Sequence, residues 1–333
     1  MNYIGSKAKL SPWIKDEIQK IVGLDLSEKV FCDMFAGTGI IGRTFKKDVK
    51  QIISNDLEYY SYILNKNYID NYQQIINKEY YINQLDNLSL VENGFIYNNY
   101  CMGSGSERQY FSDENGKKID TIRIKIEQWK IDKEINENLY NFLLASLLES
   151  ADKIANTASV YGAFLKHIKK PASKTMILKS ANFIETDKPH QVYNLDSNEL
   201  IKEISGDILY LDPPYNQRQY SSNYHILNTI AKYKPFIPKG KTGLPKYNRS
   251  NYSRKNDVYK TFEELIKNAD FNSIFLSYNN EGLMSPKEIK NIMTKYGEYN
   301  LVTKEYQRFK ADKNRTHKAT KTYEYLHILN KKN

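Results

Sequence analysis

Apolar and polar positions follow two different spacings in the first part of the chain, and each spacing predicts its own kind of element. Between residues 11 and 22 the apolar side chains recur every three or four positions, which predicts a helix. Apolar runs typical of buried strands follow at 29–35 and 49–54, and each precedes a helical pattern, at 39–45 and 58–68. The beginning of the chain therefore predicts a helix followed by a βαβα unit.

The pattern changes over residues 69–184, where asparagine, tyrosine and lysine dominate. A turn-rich stretch at 101–118 precedes two segments in which apolar residues have helical spacing, at 119–129 and 139–150. We therefore predict that residues 69–184 form a largely helical insertion.

Strand patterns return after this insertion, at residues 191–195, 207–211 and 273–277. A final pair of strand patterns, at 301–309 and 323–329, predicts a hairpin with a polar, basic connection. Strands and helices that alternate in this way are typical of an α/β fold. We predict one α/β domain, made by residues 1–68 and 185–333 and interrupted by the insertion.

The first predicted strand ends in a glycine-rich turn, DMFAGTGIIGR, that contains the pattern G-x-G-x-x-G at Gly37, Gly39 and Gly42. A strand, such a turn and a helix bring backbone N–H groups to the carboxyl edge of a sheet, which suits a nucleotide cofactor. Asp33 lies on the strand itself, where a carboxylate receives an ammonium group better than a pyrophosphate. Asp56, after the next strand, can accept ribose hydroxyls. These residues leave open a tight structural turn, a dinucleotide site, and a site for a cationic cofactor such as S-adenosylmethionine.

A second motif, ILYLDPPY at residues 208–215, favours the cationic cofactor. A buried strand ends at Asp212, and Pro213 and Pro214 fix the backbone and remove two donors, so the carboxylate and carbonyl oxygens can act as acceptors. With the aromatic face of Tyr215, they suit the exocyclic amine of a nucleobase. Because the lone pair of that amine is delocalised, acceptors that hold its hydrogens favour a pyramidal nitrogen able to attack a sulfonium methyl group. The alternative is an ordinary turn that ends a strand.

The order of these motifs resembles the Dam-like, alpha-class group of DNA N6-adenine methyltransferases, over essentially the whole chain. The resemblance implies a Rossmann-like S-adenosylmethionine-dependent methyltransferase sheet, with a target-recognition insertion at residues 69–184. It also implies transfer of a methyl group to a flipped-out adenine in a short duplex DNA sequence. Protection of host DNA in a type II restriction-modification system, beside a cognate restriction endonuclease, would be the biological role.

The resemblance also assigns roles to individual residues. NYIGSK at residues 2–7 matches the N-terminal motif, which implies Tyr3 against the cofactor and Lys7 near the cofactor or the target base. YNLDS implies Asp196 near the adenine of the cofactor. The remaining implied cofactor-binding residues are Asp33, Phe35, Ala36, Gly37, Thr38, Gly39, Asp56 and Asp212. The implied catalytic residues are Asp212, Pro213, Pro214 and Tyr215.

Charge bears on the choice between DNA and other partners. The formal net charge is +10, from 49 lysines and arginines against 39 aspartates and glutamates, which favours a polyanionic partner. Residues 232–255 contain eight lysines or arginines and no acidic residue, interleaved with Tyr233, Phe236, Tyr247 and Tyr252. Such a basic loop predicts contacts with the DNA backbone or with the gap left by a flipped base, although a solvated loop without a partner is the alternative. The candidate DNA-binding residues are Lys7, Arg218, Lys239, Lys241, Lys246, Arg249 and Arg254.

A second basic run, at residues 308–321, would add phosphate contacts or form a solvated face. None of the five histidines has a spacing typical of metal ligands, so we predict no metal and a structural role for His225. No apolar run reaches the roughly 18 residues of a membrane span, no signal core is present, and two cysteines are too few for a disulfide framework. We expect a cytoplasmic monomer.

Two other functions remain as alternatives. An RNA adenine-N6 methyltransferase is one, although the long insertion argues against it. A catalytically silent, DNA-binding regulator is the other, although the intact residues 212–215 argue against it. The recognised base sequence is not encoded in any visible pattern, and CATG is an expectation that rests on the resemblance alone.

Overall fold

The computed structural model describes residues 5–247, 249–307 and 321–331, and these divide into two compact units. The sheet unit consists of Ser6–Leu57, Thr186–Gln219 and the described residues after Asn248. The helical unit consists of Gly5, Glu58–Glu185 and Tyr220–Tyr247.

The strands of the sheet unit are β1 (Val30–Asp33), β2 (Gln51–Asn55), β3 (Gln191–Tyr193), β4 (Ser205–Leu211), β5 (Asp270–Asn279), β6 (Gly297–Gln307) and β7 (Lys321–Lys331). Within the described residues, these seven strands form one sheet in the order β3-β2-β1-β4-β5-β7-β6. The first five strands in this order are parallel, whereas β7 is antiparallel to both β5 and β6. This is a Rossmann-like α/β sheet, as the sequence predicted.

Helices cover both faces of the sheet. The helices of this unit are α1 (Ser11–Val22), α2 (Ile40–Phe45), α8 (Ser197–Leu200), α11 (Val258–Asn268) and α12 (Pro286–Met293). The aromatic rings of Phe31 in β1 and Phe45 in α2 stack with centroids 4.3 Å apart, whereas Cys32, the next residue of β1, packs in the cluster formed with α8, α11 and α12. Successive residues of a strand point to opposite faces, so the two contacts mark two layers.

Each predicted strand is present, with ends that differ by a few residues. The pattern at residues 29–35 predicted a longer first strand, but β1 ends at Asp33. Met34 still donates to the Tyr210 carbonyl at 3.1 Å, while the Ala36 amide turns to the Asn55 carbonyl of β2 at 2.9 Å. The last apolar residues of the run therefore already belong to the glycine turn, because the chain must leave the sheet to form it.

The helical unit has its own apolar core. Its helices are α3 (Tyr59–Asn65), which continues as a π-helical turn at Lys66–Asp70, α4 (Lys78–Asp86), α5 (Phe95–Tyr100), α6 (Asp113–Ile131), α7 (Glu137–Ile154), α9 (Tyr220–Asn223) and α10 (His225–Lys232). Helix α7 lies at its centre, and Phe142, Leu143 and Leu147 are fully buried there. No helix in the described ranges is long and apolar enough to cross a membrane.

The bounds of the helical unit differ from the predicted insertion at residues 69–184. Tyr60 and Ile63 of α3, before the insertion, and Ile226 and Leu227 of α10, far after it, are buried in the same apolar cluster as α7. A segment joins the core against which its apolar face packs, and chain order does not reveal that partner. The role of residues 69–184 in target recognition stays a prediction.

Candidate active site

The glycine turn between β1 and α2 lies where the parallel strands end. Gly37 has φ 52° and Gly39 has φ 73°, in the left-handed region that strains residues with a side chain. The Gly39 amide closes the turn by donating to the Ala36 carbonyl at 2.8 Å, and Thr38 between the glycines is half-buried. This conformation lets the backbone of the turn approach a ligand closely.

Asp33 ends β1 and is almost completely buried, with 1% of its surface exposed. One of its carboxylate oxygens accepts a hydrogen bond from the Gly42 amide at 3.1 Å. Burial raises the pKa of this carboxyl to about 8, Asp212 and Asp56 add to the rise, and the Gly42 hydrogen bond opposes it. An ammonium group beside Asp33 would compensate for the burial of its charge, so the site fits a cationic cofactor.

Asp56 follows β2 and stands beside the glycine turn. One of its carboxylate oxygens accepts a hydrogen bond from the Gly37 amide at 2.8 Å, and its backbone carbonyl accepts one from the Asn194 side chain at 2.7 Å. Both the backbone and the side chain of Asp56 are therefore held in place. The position agrees with the predicted contact to ribose hydroxyls, which stays a prediction.

Asp196 is exposed, and it caps α8 by accepting a hydrogen bond from the Asn198 amide at 2.9 Å. Asn198 is buried, and its side-chain oxygen accepts from the Tyr252 hydroxyl at 2.7 Å. The Tyr252 ring meets the Phe35 ring edge-on, with centroids 5.0 Å apart. Phe35 and Asp196, both predicted from the motifs, are thus linked through two buried residues that the motifs did not single out.

Asp212 follows the last residue of β4, and 18% of its side chain is exposed. Pro213 is buried and Pro214 half-buried. The Tyr215 carbonyl accepts from the Leu283 amide at 2.9 Å, and the Tyr215 ring meets that of Tyr278 in β5 edge-on, with centroids 6.3 Å apart. These contacts fix the backbone and the ring of Tyr215.

Lys7 lies just before α1 and is buried, with 7% of its surface exposed. Its carbonyl accepts hydrogen bonds from the Leu10 and Ser11 amides at 2.8 and 2.7 Å, which fixes its backbone at the start of the helix. Its Nζ lies 3.0 Å from Asp212 Oδ1 and 3.0 Å from Glu324 Oε1. Lys7 therefore joins the N-terminal motif to the Asp-Pro-Pro-Tyr motif, and its burial separates it from the exposed cations predicted to bind DNA.

The charges in this cluster change each other's proton affinity. Burial opposes the charge of Lys7, but Asp212 and Glu324 outweigh it and raise the pKa of the ammonium well above its ordinary value. Burial raises the pKa of Asp212 to about 6, with Lys7 opposing the rise and Glu324 adding to it. At neutral pH the cluster therefore holds an ammonium and an ionised Asp212.

Glu324 is the functional candidate that the motifs missed. It lies in β7, opposite Asn279 of β5, and 1% of its surface is exposed. A signal exists in the sequence, because Glu324 stands two and four positions before the buried Leu326 and Ile328. Glu324 therefore points to the same buried face of β7 as these two apolar residues, and a carboxylate at such a position needs a buried partner.

The basic segment at residues 232–247 is tied to the helical unit at its tip. The Gly243 carbonyl accepts from the Tyr100 hydroxyl at 2.7 Å, and the Gly240 carbonyl accepts from the Arg108 guanidinium at 3.1 Å. The Thr242 carbonyl lies 2.8 Å from Nε2 of the buried His225, whose Nδ1 lies 3.0 Å from the Ser222 carbonyl. These contacts agree with a structural role for His225.

Most aromatic residues of the basic segment pack inside their own unit. The Tyr233 hydroxyl donates to Asp120, the Phe236 ring packs on Phe95 with centroids 5.1 Å apart, and Tyr252 is buried. All eight lysines and arginines of residues 232–255 are exposed, and so is Arg218 before them; the eight are Lys232, Lys234, Lys239, Lys241, Lys246, Arg249, Arg254 and Lys255. Arg254 lies 3.5 Å from Asp257. The segment thus presents charge to solvent.

Several predicted features lie outside the described residues. These are Tyr3 and the basic residues Arg308, Lys310, Lys313, Arg315 and Lys318. In the part of the chain that the structure describes, no group of three or more His, Cys, Asp or Glu side chains could hold a metal ion.

The strand order, the glycine turn and the carboxylates at the strand ends define a methyltransferase with a Rossmann-like fold. Within that class, residues 3–292 match the model of the D12 class N6 adenine-specific DNA methyltransferases, and the chain belongs to that family.

Relatives agree with this assignment. The chain is 62% identical over 333 residues to the type II methyltransferase M.NlaIII of Neisseria lactamica, covering 99% of each protein. It is 39% identical to the type II methyltransferase M.CviAII of Paramecium bursaria Chlorella virus 1, covering 93% of each. It is also 39% identical to M.FokI of Planomicrobium okeanokoites, over 99% of this chain and 53% of that protein. The activity is therefore adenine-specific DNA methylation.

Proposed function

We propose that this enzyme transfers a methyl group from S-adenosylmethionine to N6 of a flipped-out adenine, and that the carboxyl edge of the sheet is its active site. The observation that carries the proposal is the cluster of the buried Asp33 and Lys7 with the half-buried Asp212 at the strand ends. When bound, the cofactor would supply an electrophilic methyl group on a sulfonium. Residues of the chain would bind the cofactor, hold the target adenine and bind the DNA.

The cofactor would be held by groups at three strand ends. Asp33, whose pKa is raised to about 8 by burial, would pair with the ammonium of its methionine portion. Asp56, already fixed by the Gly37 amide, would accept from its ribose. Phe35, Asp196, Asn198 and Tyr252 would border its adenine.

The target adenine would be held by the Asp-Pro-Pro-Tyr motif. Asp212 and the Pro213 carbonyl would accept the two N6 hydrogens, and the Tyr215 ring would stack on the base. The acceptors localise the lone pair on N6 and stabilise the positive charge that develops there. Lys7, which is buried, would act through its ion pair with Asp212 rather than through DNA phosphates.

Duplex DNA would be held by charge as well as by base contacts. Lys239, Lys241 and Lys246 are exposed on a segment whose tip is fixed by Tyr100 and Arg108. Exposed cations on an ordered backbone suit a phosphate backbone, because less conformational freedom is lost on binding. On the sheet unit, Arg218, Arg249 and Arg254 are exposed as well and would contact phosphates in the same way.

The biological role we propose is modification in a type II restriction-modification system, with a cognate endonuclease, by a cytoplasmic monomer. The relatives M.NlaIII and M.CviAII are type II methyltransferases, which supports a type II system. We retain CATG as the expected recognition sequence.

Base-modification sequencing of plasmid DNA from a methylation-free host that expresses the chain tests this function directly. We expect N6-methyladenine in one short sequence motif. If the methylated motif is not CATG, the expected recognition sequence is wrong but the proposed activity stands. An unmodified plasmid beside soluble protein would reject DNA methylation in favour of RNA or of silent binding. Incubation of purified protein with labelled S-adenosylmethionine and either duplex DNA or RNA would then separate those two outcomes.

A further inference from the structure

Glu324 lies in β7, and this strand contains none of the motifs described above. Its neighbour in the sheet is β5, with Asn279 opposite Glu324 and Ser277 opposite Leu326. The hydroxyl of Ser277 donates to Glu324 Oε1, the same oxygen that lies 3.0 Å from Lys7 Nζ. The carboxylate is thus held by contacts from two different segments of the sheet unit.

The second oxygen of Glu324, Oε2, is buried and has no hydrogen-bond partner within the described residues. A buried carboxylate is costly unless it is paired and hydrogen-bonded. Lys7 offsets that cost only in part, because the same ammonium lies 3.0 Å from Asp212. If this cluster served stability alone, we would expect Asp212 and Glu324 each to have its own cationic partner.

We propose that Glu324 is a positioning residue, which shares the Lys7 ammonium with Asp212 and thereby keeps the Asp212 carboxylate a strong acceptor for the N6 hydrogens. The proposal rests on the proposed role of Asp212. One ammonium between two carboxylates leaves net negative charge in the cluster. Without Glu324, the full charge of Lys7 would act on Asp212 and weaken it as an acceptor.

Several charged or titratable groups face Asp212, and they come from several distant segments of the chain. The groups are Lys7 before α1, Asp33 at the end of β1, Tyr210 in β4, Tyr215 after β4, and Glu324 in β7. Removal of the Glu324 charge should lower the pKa of Asp212, because the negative charge of Glu324 now helps to raise it.

The variant Glu324→Gln tests the proposal, because it removes the charge and nearly preserves the shape. The matched control is Glu305→Gln, an identical change at an exposed position of the adjacent strand β6. The measurements are the single-turnover methylation rate between pH 5 and 9, the KM for duplex DNA, and the melting temperature. Asp212→Asn serves as the reference for loss of the acceptor itself.

We expect Glu324→Gln to lower the single-turnover rate about tenfold, because Asp212 would accept the N6 hydrogens less strongly, with KM for DNA unchanged. The acid limb of its pH profile should move to lower pH. Glu305→Gln should match the wild-type protein. A wild-type rate and an unmoved acid limb for a folded Glu324→Gln protein would overturn the proposal.

Glu324→Asp covers the case in which Glu324→Gln does not fold. It keeps the charge but draws it away from Lys7, so we expect a smaller loss of rate than in Glu324→Gln, with the acid limb moved part of the way to lower pH. A wild-type rate for Glu324→Asp would overturn the positioning role. If Asp212→Asn kept the wild-type rate, the proposed role of Asp212 would be wrong. If Asp212→Asn lost activity but Glu324→Gln did not, only the positioning role of Glu324 would be wrong.

Discussion

Buried charges have different partners in the two units. In the helical unit, Asp120 accepts from the Ile96 and Tyr97 amides at the start of α5, at 2.9 and 2.8 Å. Arg123 donates to the Ile230 and Ala231 carbonyls near the end of α10, at 3.0 and 3.1 Å. The first amides and last carbonyls of a helix lack partners within it, so these charges complete secondary structure.

In the sheet unit, Lys7 faces Asp212 and Glu324 instead, although Asp33 also accepts from the Gly42 amide of α2. Lys7 pairs with two carboxylates, and Asp33 and Asp212 have pKa values raised to about 8 and about 6 by burial. Groups with displaced pKa values that converge at strand ends are typical of a reactive site. The comparison teaches that the partner of a buried charge, more than its burial, distinguishes a structural role from a chemical one.

The largest effect is expected when the same substitution is made at two aspartates, Asp212 in the sheet unit and Asp120 in the helical unit. Asp212→Asn should lower the single-turnover rate by about 100-fold or more, because one acceptor of the developing charge becomes a donor. Asp120→Asn should instead lower the free energy of unfolding by about 1–3 kcal/mol, since helix amides lose a charged acceptor. Methylation kinetics and chemical denaturation measure both variants. Equal losses of rate in the two folded proteins would contradict the comparison.

The next effect concerns the ring of Tyr215. Tyr215→Ala should lower kcat/KM by about 10- to 100-fold, the loss expected for about 1–3 kcal/mol of base stacking. Tyr215→Phe keeps the ring and its contact with Tyr278, so it should lose much less. Steady-state kinetics on duplex DNA measures the two variants. If Phe were the worse replacement, the hydroxyl rather than stacking would matter.

A smaller effect should appear in cofactor binding. The bound ammonium favours ionised Asp33, so affinity for S-adenosylmethionine should rise as pH rises towards the Asp33 pKa of about 8. Between pH 6 and 7 the ionised fraction grows about tenfold, and affinity should follow it. Calorimetric titration measures this slope, and Asp33→Asn should bind weakly with most of the slope removed. An equally steep slope in Asp33→Asn would assign the linked proton to another group.

The smallest effect is expected at single exposed lysines. Lys241→Ala should weaken binding to any duplex by a few-fold and reduce the slope of log affinity against log salt by about one. Lys202→Ala, an exposed lysine outside the basic segment that pairs with Glu199, is the matched control. Fluorescence anisotropy at several salt concentrations measures both. An unchanged salt slope in Lys241→Ala would remove that residue from the DNA interface.

Local patterns were sufficient for much of the sheet unit. The residues of α1 show helical spacing, and β2, β4 and β5 are apolar runs bounded by polar residues. Asp33, Asp56 and Asp212 each follow or end such a run, and parallel strands place their carboxyl ends at one edge. Their proximity could therefore be predicted before any contact was known.

Contacts between distant segments were harder to predict. The pattern at residues 232–255 showed aromatic residues among the cations but not what they contact, and in the structure Phe236 packs on Phe95 and Tyr252 on Phe35. Likewise, nothing near Tyr220–Tyr247 indicates that it belongs to the helical unit. Both depend on which apolar surfaces meet in the folded chain.

The sequence by itself determined the element order, the family and the carboxylates at the strand ends, because spacing and motif are local properties. Only the tertiary structure decided that one ammonium, Lys7, is shared by Asp212 and Glu324. These residues come from three distant segments, and burial made their charges interact strongly by removing water from between them. The pKa of each group in this cluster depends on the charges of the other two, so it cannot be predicted from the sequence of one segment.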